Sequence, residues 1–510
     1  MTIDITKWAV RRRQSRRLNT KSEPVALPSE PVIGFGKDEY PITWPRPTLE
    51  RAASMLILGS SGSGKSVLCA NALVQELAKE EEDRLAVFIV DPKGDLVEAV
   101  LQGLAAVAPY RLGDVFYLDP FSEEGFPFNL NRLTLGRTPV DVRSSQIAEL
   151  VATVSTAMGA QKHLGVGARQ VDVLTHLLLA ASTCPDPRAN VLWALDALTT
   201  LGGFKRLAGL TTSARAKHFL SSSRLAGELK ASCSSRLRSA LAMSSQLERL
   251  VAAPDCIQWE ELLAPGKITL LHLGQPTGGM ASLREFYGNL ICRLAIDFLL
   301  SRPSPWRGHH VRIVVDEVQI VAPALSDSAE AILTTGRSRG VSLTAISQGT
   351  ILIERASETL LRTLFTNSPL KFIGRLSAPD AEMLAREQAP KQGTDENVAA
   401  VRSRFSTSVC NLEDRSFFRL LPGDSRRFRT ADVDMEAWAK TAEEREEEIR
   451  KVKTRLALPA DMRPRVTLAE ATELSASSEG RQRKRKFRKA ETDQPDSLEL
   501  SRPKPRSRWG

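Results

Sequence analysis

Met55-Leu56-Ile57-Leu58-Gly59-Ser60-Ser61-Gly62-Ser63-Gly64-Lys65-Ser66 is a short apolar run followed by eight residues that fit GxxxxGK[ST] at every fixed position. The apolar run predicts a strand and Val67–Lys79 predicts a helix, so the glycine-rich piece is the turn between them. Glycines there let the backbone curl until its N–H groups face phosphate oxygens, and the helix N-terminus adds its dipole. The expected phosphate-binding residues are Gly59, Ser60, Ser61, Gly62, Ser63, Gly64, Lys65 and Ser66. Lys65 would reach the β- and γ-phosphates, and the Ser66 hydroxyl would coordinate Mg²⁺. This is a nucleotide site.

Working outward, short apolar runs recur between helical stretches. Strands are expected at Met55–Leu58, Ala86–Val90, Val115–Leu118, Ile268–Leu273, Val311–Val315, Val341–Ser347 and Leu370–Arg375. Such runs suit strands buried on both faces, and their alternation with helices predicts an α/β fold with a mostly parallel sheet. The fifth run ends in Asp316-Glu317. Ligands bind at that carboxyl edge of such sheets, so Asp316 is the expected Mg²⁺ partner and Glu317 the base that polarises an attacking water. Taken alone, an apolar run ending in two acids is common and often only a solvated strand end. Gln348 closes the strand Val341–Ser347, where a polar side chain can touch the γ-phosphate or the water. Arg337, in Gly336-Arg337-Ser338-Arg339-Gly340, can serve a neighbouring subunit's nucleotide as an arginine finger or simply pair with a helix dipole.

The chain divides by composition. A basic flexible arm is expected at 1–31, a first part of the ATPase core at 32–136, an inserted all-α domain at 137–255, and the second part of the core at 256–432. A charged C-terminal helix, mainly solvated, is expected within 433–474 over Met435–Leu458, and a disordered basic tail at 475–510. Hairpins are expected from Pro31–Phe35 with Tyr40–Trp44, and from Ser416–Leu421 with Arg426–Thr430. Within the insertion, Thr138–Gly159, Gly167–Thr183, Ala189–Thr199 and Ser222–Leu250 have helical periodicity.

The chain has 510 residues and a formal net charge of +10, but the charge is uneven. Residues 1–21 and 475–510 carry a net +6 each, which leaves the intervening body close to neutral. Basic ends of this kind can neutralise phosphates or an anionic membrane surface, or remain plain solvated tails. Six scattered cysteines without a CxxC pair argue against a disulfide scaffold or structural zinc and suit a reducing cytosol. No apolar run reaches the ~20 residues of a membrane helix, and no secretory leader is evident. A cytoplasmic protein is expected, placed peripherally at the inner face of the membrane through partners.

With these residues assembled, the sequence resembles the FtsK/HerA superfamily of DNA-pumping ATPases, and within it the TraG/TraD-like coupling proteins of conjugation and type IV secretion. The resemblance covers roughly residues 32–430. It rests on the Gly59–Ser66 loop, Asp91-Pro92-Lys93-Gly94-Asp95, Phe116-Tyr117-Leu118-Asp119-Pro120 with Asn129, the helical insertion, Asp316-Glu317, and the step from Arg337 to Gln348. Phe365–Arg375 with Asp380 looks like the family's last core strand, which makes Arg375 a candidate second trans-acting arginine. The resemblance implies a RecA-like P-loop NTPase core, a homo-hexamer, ATP and Mg²⁺ at subunit interfaces, and DNA in a central pore, held by its backbone without base readout. Relaxosome or secretion-channel proteins are the implied partners. Two features depart from the pattern: coupling proteins usually carry N-terminal membrane helices, and the HerA branch usually carries an N-terminal β-barrel.

Competing readings are a helicase-type motor working with a nuclease in repair or phage defence, a secretion ATPase that moves protein, and a nucleotide-gated scaffold. The set Lys65, Ser66, Asp316 and Glu317 argues against the scaffold, which needs no base. His309-His310 lacks a third ligand and reads as a surface loop rather than a metal site. His272 reads as a satisfied core or edge histidine, Cys69 as packing, and Trp509 as weak support for base stacking.

Overall fold

The computed structural model describes residues 30–36, 40–46, 54–79, 85–122, 168–186, 189–190, 192–222, 227–241, 257–274, 281–326, 329–388, 395–421, 424–456 and 467–473. The expected helix at 138–159, Asn129 and the basic tail at 475–510 lie outside the described residues, as does the arm up to residue 29.

The strands are β1 (Val32–Gly36), β2 (Pro41–Thr43), β3 (Met55–Leu58), β4 (Ala86–Asp91), β5 (Val115–Leu118), β6 (Ile268–His272), β7 (Val311–Val315), β8 (Val341–Ser347), β9 (Leu370–Ile373), β10 (Ser416–Leu421) and β11 (Asp424–Thr430). They form one sheet in the order β2-β1-β11-β10-β9-β3-β8-β7-β4-β6-β5. From β9 to β5 every pairing is parallel. From β9 to β2 every pairing is antiparallel. The seven expected parallel strands are all present and both expected hairpins form, which gives the α/β fold read from the sequence.

β9 stops two residues earlier than its apolar pattern suggests. The Gly374 N–H still donates to the Leu58 carbonyl at 2.7 Å, but the Arg375 carbonyl turns to accept from the Ser60 N–H at 2.6 Å. The strand ends there because its last carbonyl serves the phosphate loop.

Alternation along the parallel strands explains the two hydrophobic cores. Met55, Ile57, Val87 and Ile89 join one cluster, with the helices α1 (Lys65–Leu77) and α2 (Asp95–Val107). Leu56, Leu58, Phe88 and Val90 join the other. That second cluster continues through α3 (Ala168–Ser182), α4 (Leu192–Thr199), α5 (Gly203–Leu210), α6 (Ala214–Ser222), α7 (Gly227–Leu241) and α8 (Ala281–Leu300). Between residues 168 and 241 the described elements are all helices, joined by short turns, and α5 and α6 come from stretches without the expected helical periodicity.

The charged C-terminal segment differs from expectation. It is two helices, α9 (Met435–Glu444) and α10 (Glu446–Thr454), with Arg445 outside helical geometry between them. One side of each is docked rather than solvated, with Trp438 and Val452 buried in the α1–α2 cluster. Trp438 fits because residue 103 on α2 is glycine. A Cβ there would lie 2.6 Å from Val74 Cγ2 and 2.7 Å from Trp438 Cζ3. Lys453 Nζ also pairs with Glu98 on α2 at 2.6 Å.

Candidate active site

Parallel register brings the singled-out residues to one edge of the sheet. Leu58 stands beside Ser347, Ala345 beside Val315, and Val315 beside Val90. The chain leaving each of these strand ends therefore carries, in one row, the Gly59–Ser66 loop, Gln348, Asp316-Glu317 and Asp91-Pro92-Lys93.

The loop has the strained turns its sequence calls for. Gly62 and Gly64 have φ of 78° and 96°, in the left-handed region that favours glycine. Gly64 caps α1, and the Leu68 N–H donates to its carbonyl at 2.9 Å. Neighbouring strands brace the loop through backbone bonds. The Gly59 N–H donates to the Ser347 carbonyl at 3.2 Å, and the Arg415 N–H donates to the Ser63 carbonyl at 3.0 Å. Ser61 and Gly62 at the crest are exposed, while Lys65 is buried and donates to the Ser60 carbonyl at 3.1 Å. Burial lowers the Lys65 pKa, and the nearby charges of Glu317 and Asp316 oppose that shift.

Asp316 and Glu317 follow β7 in different environments. Asp316 is 5% exposed, and its Oδ1 accepts the Glu317 N–H at 2.9 Å. Burial, then the charges of Asp91 and Glu317, raise its carboxyl to about 7. The Lys65 charge opposes that rise, and a divalent cation beside the carboxylate would oppose it more strongly.

Glu317 is surrounded by donors. Its Oε1 accepts from Gln348 Nε2 at 2.8 Å and from Lys93 Nζ, while its Oε2 accepts from Gln319 Nε2 at 2.6 Å. Burial alone would raise its carboxyl, but the bonds from Gln348, Lys93 and Gln319 outweigh it and hold the pKa below its ordinary value. The residue itself is left-handed, with φ 46° and ψ 56°, so the backbone turn aims its side chain.

Gln348 therefore touches the expected base, whereas Arg337 lies apart, exposed on the 3₁₀ turn Gly336–Arg339. Arg375 sits against its own chain's phosphate loop through its backbone, and its guanidinium pairs with Asp414 at 2.9 Å. Two site residues escaped the sequence reading. Lys93 was visible only as part of the Asp91–Asp95 motif, and Gln319 carried no signal beyond being polar near Glu317. Asp91 explains the first: its Oδ1 accepts from Lys93 N at 2.9 Å, and its Oδ2 from Leu96 N and Val97 N at 2.7 and 3.0 Å. It ties the turn and starts α2.

The histidines and Cys69 have structural surroundings. His272 bonds Asp119 at 3.2 Å and stacks on Tyr117 with ring centroids 5.6 Å apart. His309 Nε2 contacts the Leu263 carbonyl at 2.6 Å. Cys69 is fully buried, and burial raises its thiol pKa well above the usual range. Among the described residues no group of three or more His, Cys, Asp or Glu is arranged to hold a metal, and no helix is long and apolar enough to cross a membrane.

Comparison with known proteins bears on the fold that positions these residues. Residues 52–250 match the family model of the helicase HerA central domain. The bacterial conjugative coupling protein TrwBdeltaN70 superposes with a TM-score of 0.53 at 15% identity, over 82% of this chain and 92% of that one. VirB4 of Thermoanaerobacter pseudethanolicus superposes with a TM-score of 0.55 at 14% identity, over 81% and 99%. At such identities these likenesses speak to the fold. No curated protein sequence matches the chain. With the phosphate loop inside the matched segment, residues 52–250 carry a P-loop ATPase domain similar to the helicase HerA central domain.

Proposed function

We propose that this chain is an ATP-driven motor that moves DNA, working as a ring of six in the manner of a conjugation or type IV secretion coupling protein. The observation that carries the reading is the convergence of the phosphate loop, Asp316-Glu317 and Gln348 on one sheet edge. The backbone of Gly59–Ser66 and Lys65 would hold the nucleotide phosphates. Ser66 and Asp316 would hold Mg²⁺, which when bound neutralises phosphate charge. Glu317 would take a proton from the water that attacks the γ-phosphorus, with Gln348 orienting that carboxylate and reporting the γ-phosphate's departure. Arg337, exposed, would act on the nucleotide of the next subunit. For Arg375 the same role requires its pair with Asp414 to open. Without a membrane helix among the described residues, attachment at the inner face of the membrane would come through relaxosome or channel partners.

The matched model's description as a helicase favours a second DNA-motor reading, in repair or defence alongside a nuclease. The test is steady-state ATP hydrolysis by the full chain, with and without single- and double-stranded DNA, at two salt concentrations. Stimulation that fades with salt is the expected result. Turnover indifferent to DNA at both salts would sink the DNA reading. Glu317→Gln should keep nucleotide binding and lose turnover by at least ~10²-fold; native turnover in that variant would remove Glu317 from the base role.

A further inference from the structure

A cavity lies at the other edge of the sheet, where the parallel strands begin. The turn before β6, the end of α8 and the turn before β7 enclose about 460 Å³, a size that suits a small organic ligand. Leu263, Pro265, Phe298, Pro303 and Trp306 give it apolar walls, and Arg302 adds a charge. The chain's own bonds fix the aromatic wall. The Trp306 N–H donates to the Ser338 carbonyl at 2.7 Å, and Trp306 Nε1 donates to the His309 carbonyl at 2.9 Å. A Cβ on Gly340 would lie 2.6 Å from Trp306 Cδ1, so the ring also fills the space that this glycine leaves.

Arg302 is buried there without an acid to match it. It is 7% exposed, and burial pushes its pKa down to about 10 with no carboxylate to oppose the shift. Its Nη1 reaches the His309 carbonyl only at 3.5 Å, and its Nη2 meets His309 Nε2 at 3.4 Å. That ring nitrogen already contacts the Leu263 carbonyl at 2.6 Å, so it carries the hydrogen and offers the guanidinium no lone pair. What remains is the Trp306 ring, whose centroid lies 4.8 Å from the guanidinium carbon. A helix C-terminus can account for a nearby arginine, but Arg339 Nη1 fills that place by donating to the carbonyls of Leu300 and Arg302. A desolvated guanidinium without a carboxylate is destabilising, and a ligand that brings one would complete the site.

The lining also narrows the ligand. The Leu263 and His309 carbonyls are engaged, and the Ser301 hydroxyl donates to the Phe298 carbonyl at 2.7 Å. An extended peptide would find few main-chain partners on such walls. Glu260, exposed, is the one acid on the lining, so the second charge of a phosphate monoester would meet repulsion with only one arginine to answer it. We propose that this cavity binds an amphipathic monocarboxylate, with its head on the Arg302 fork and its apolar body against Phe298 and Trp306. The site is separate from the nucleotide edge and does not depend on how Glu317 acts.

The test is calorimetric titration of the full-length chain with 3-phenylpropionate, its uncharged amide and phenyl phosphate, repeated on Arg302→Met and Ala264→Phe. The native chain should bind the acid saturably, and at least ~10-fold more tightly than the amide or the phosphate. Arg302→Met should lose that preference and keep the amide's affinity. It should melt no lower than the native chain, because it removes a desolvated charge and keeps an apolar stem. Ala264→Phe leaves Arg302 in place but fills the cavity, so it should abolish binding of acid and amide alike. Failure of the acid to saturate the native chain overturns the proposal, as does equal affinity for acid and amide. An acid preference that survives in folded Arg302→Met overturns the role of the guanidinium. If Arg302→Met does not fold, Ala264→Phe decides, since native affinity there puts the ligand elsewhere. Tighter binding of the phosphate overturns the carboxylate as the head group.

Discussion

Strand β7 carries an ion pair near each end, and the two pairs are built differently. At its start, Arg312 and Glu76 of α1 meet at 3.1 Å with side chains 0% and 1% exposed. Arg312 also donates to the Pro45 carbonyl at 2.7 Å and lies over the Trp44 ring, 5.4 Å from its centroid. Just past its end, Glu317 meets Lys93, and the lysine is 42% exposed. The sealed pair joins the β1–β2 hairpin, α1 and the middle of the sheet, and has no reason to open. The half-open pair sits where ligands arrive. Across one five-residue strand the molecule separates a sealed pair that ties the fold together from a half-open pair at the proposed catalytic edge.

The comparison breaks most sharply if a change at the carboxyl edge unfolds the protein. Lys65→Ala should weaken nucleotide binding and reduce turnover on the order of 10²–10³-fold, with an unchanged melting temperature. A fall in melting temperature matching the loss of activity would erase the separation of roles. At the other end, Glu76→Ala leaves a buried guanidinium without its carboxylate and should cost about 3–5 kcal/mol in urea unfolding. Replacing both partners, Glu76→Met with Arg312→Met, should recover most of that loss, since the desolvated charges vanish together. A double variant as unstable as the single would mean that the pair is itself a source of stability.

A smaller effect is expected where α9 meets α2. Gly103→Ala forces a methyl into the space shared by Val74 and Trp438, and should cost about 1–3 kcal/mol with little change in nucleotide affinity. Smallest of all, Arg450→Ala removes an exposed pair with Glu447 and should leave the melting temperature unchanged. A clear drop there would show that surface charge on α10 contributes to holding it on the core.

The parallel strands were legible because strands buried on both faces must be continuously apolar, and the glycine spacing of residues 59–64 has few other uses. Asp316 and Glu317 were legible as residues, but their inequality was not. One is buried beside Asp91 while the other accepts from three side-chain donors, and two of those donors arrive from the ends of β4 and β8. Lys93 and Glu317 lie 224 positions apart, so no local pattern links them. Arg312 was read only as part of an apolar run, because its partners, Pro45 and Glu76, come from distant segments. In α9 and α10 the run of glutamates and basic residues hid Trp438 and Val452, which dock the pair together with the half-buried Met435 and Ile449.

The antiparallel wing closes the sheet by placing β1 beside β11, with Gly34 opposite Thr430. Synthesis delivers these strands at opposite times. The β1–β2 hairpin leaves the ribosome before any parallel strand, and its hydrogen-bonding partner emerges only after β10. Until then β1 presents an unsatisfied edge, and a pairing of such long sequence separation forms slowly. The early hairpin must therefore wait for nearly the whole core to be made, and that interval is when this chain is most open to capture by a chaperone or by another copy of itself.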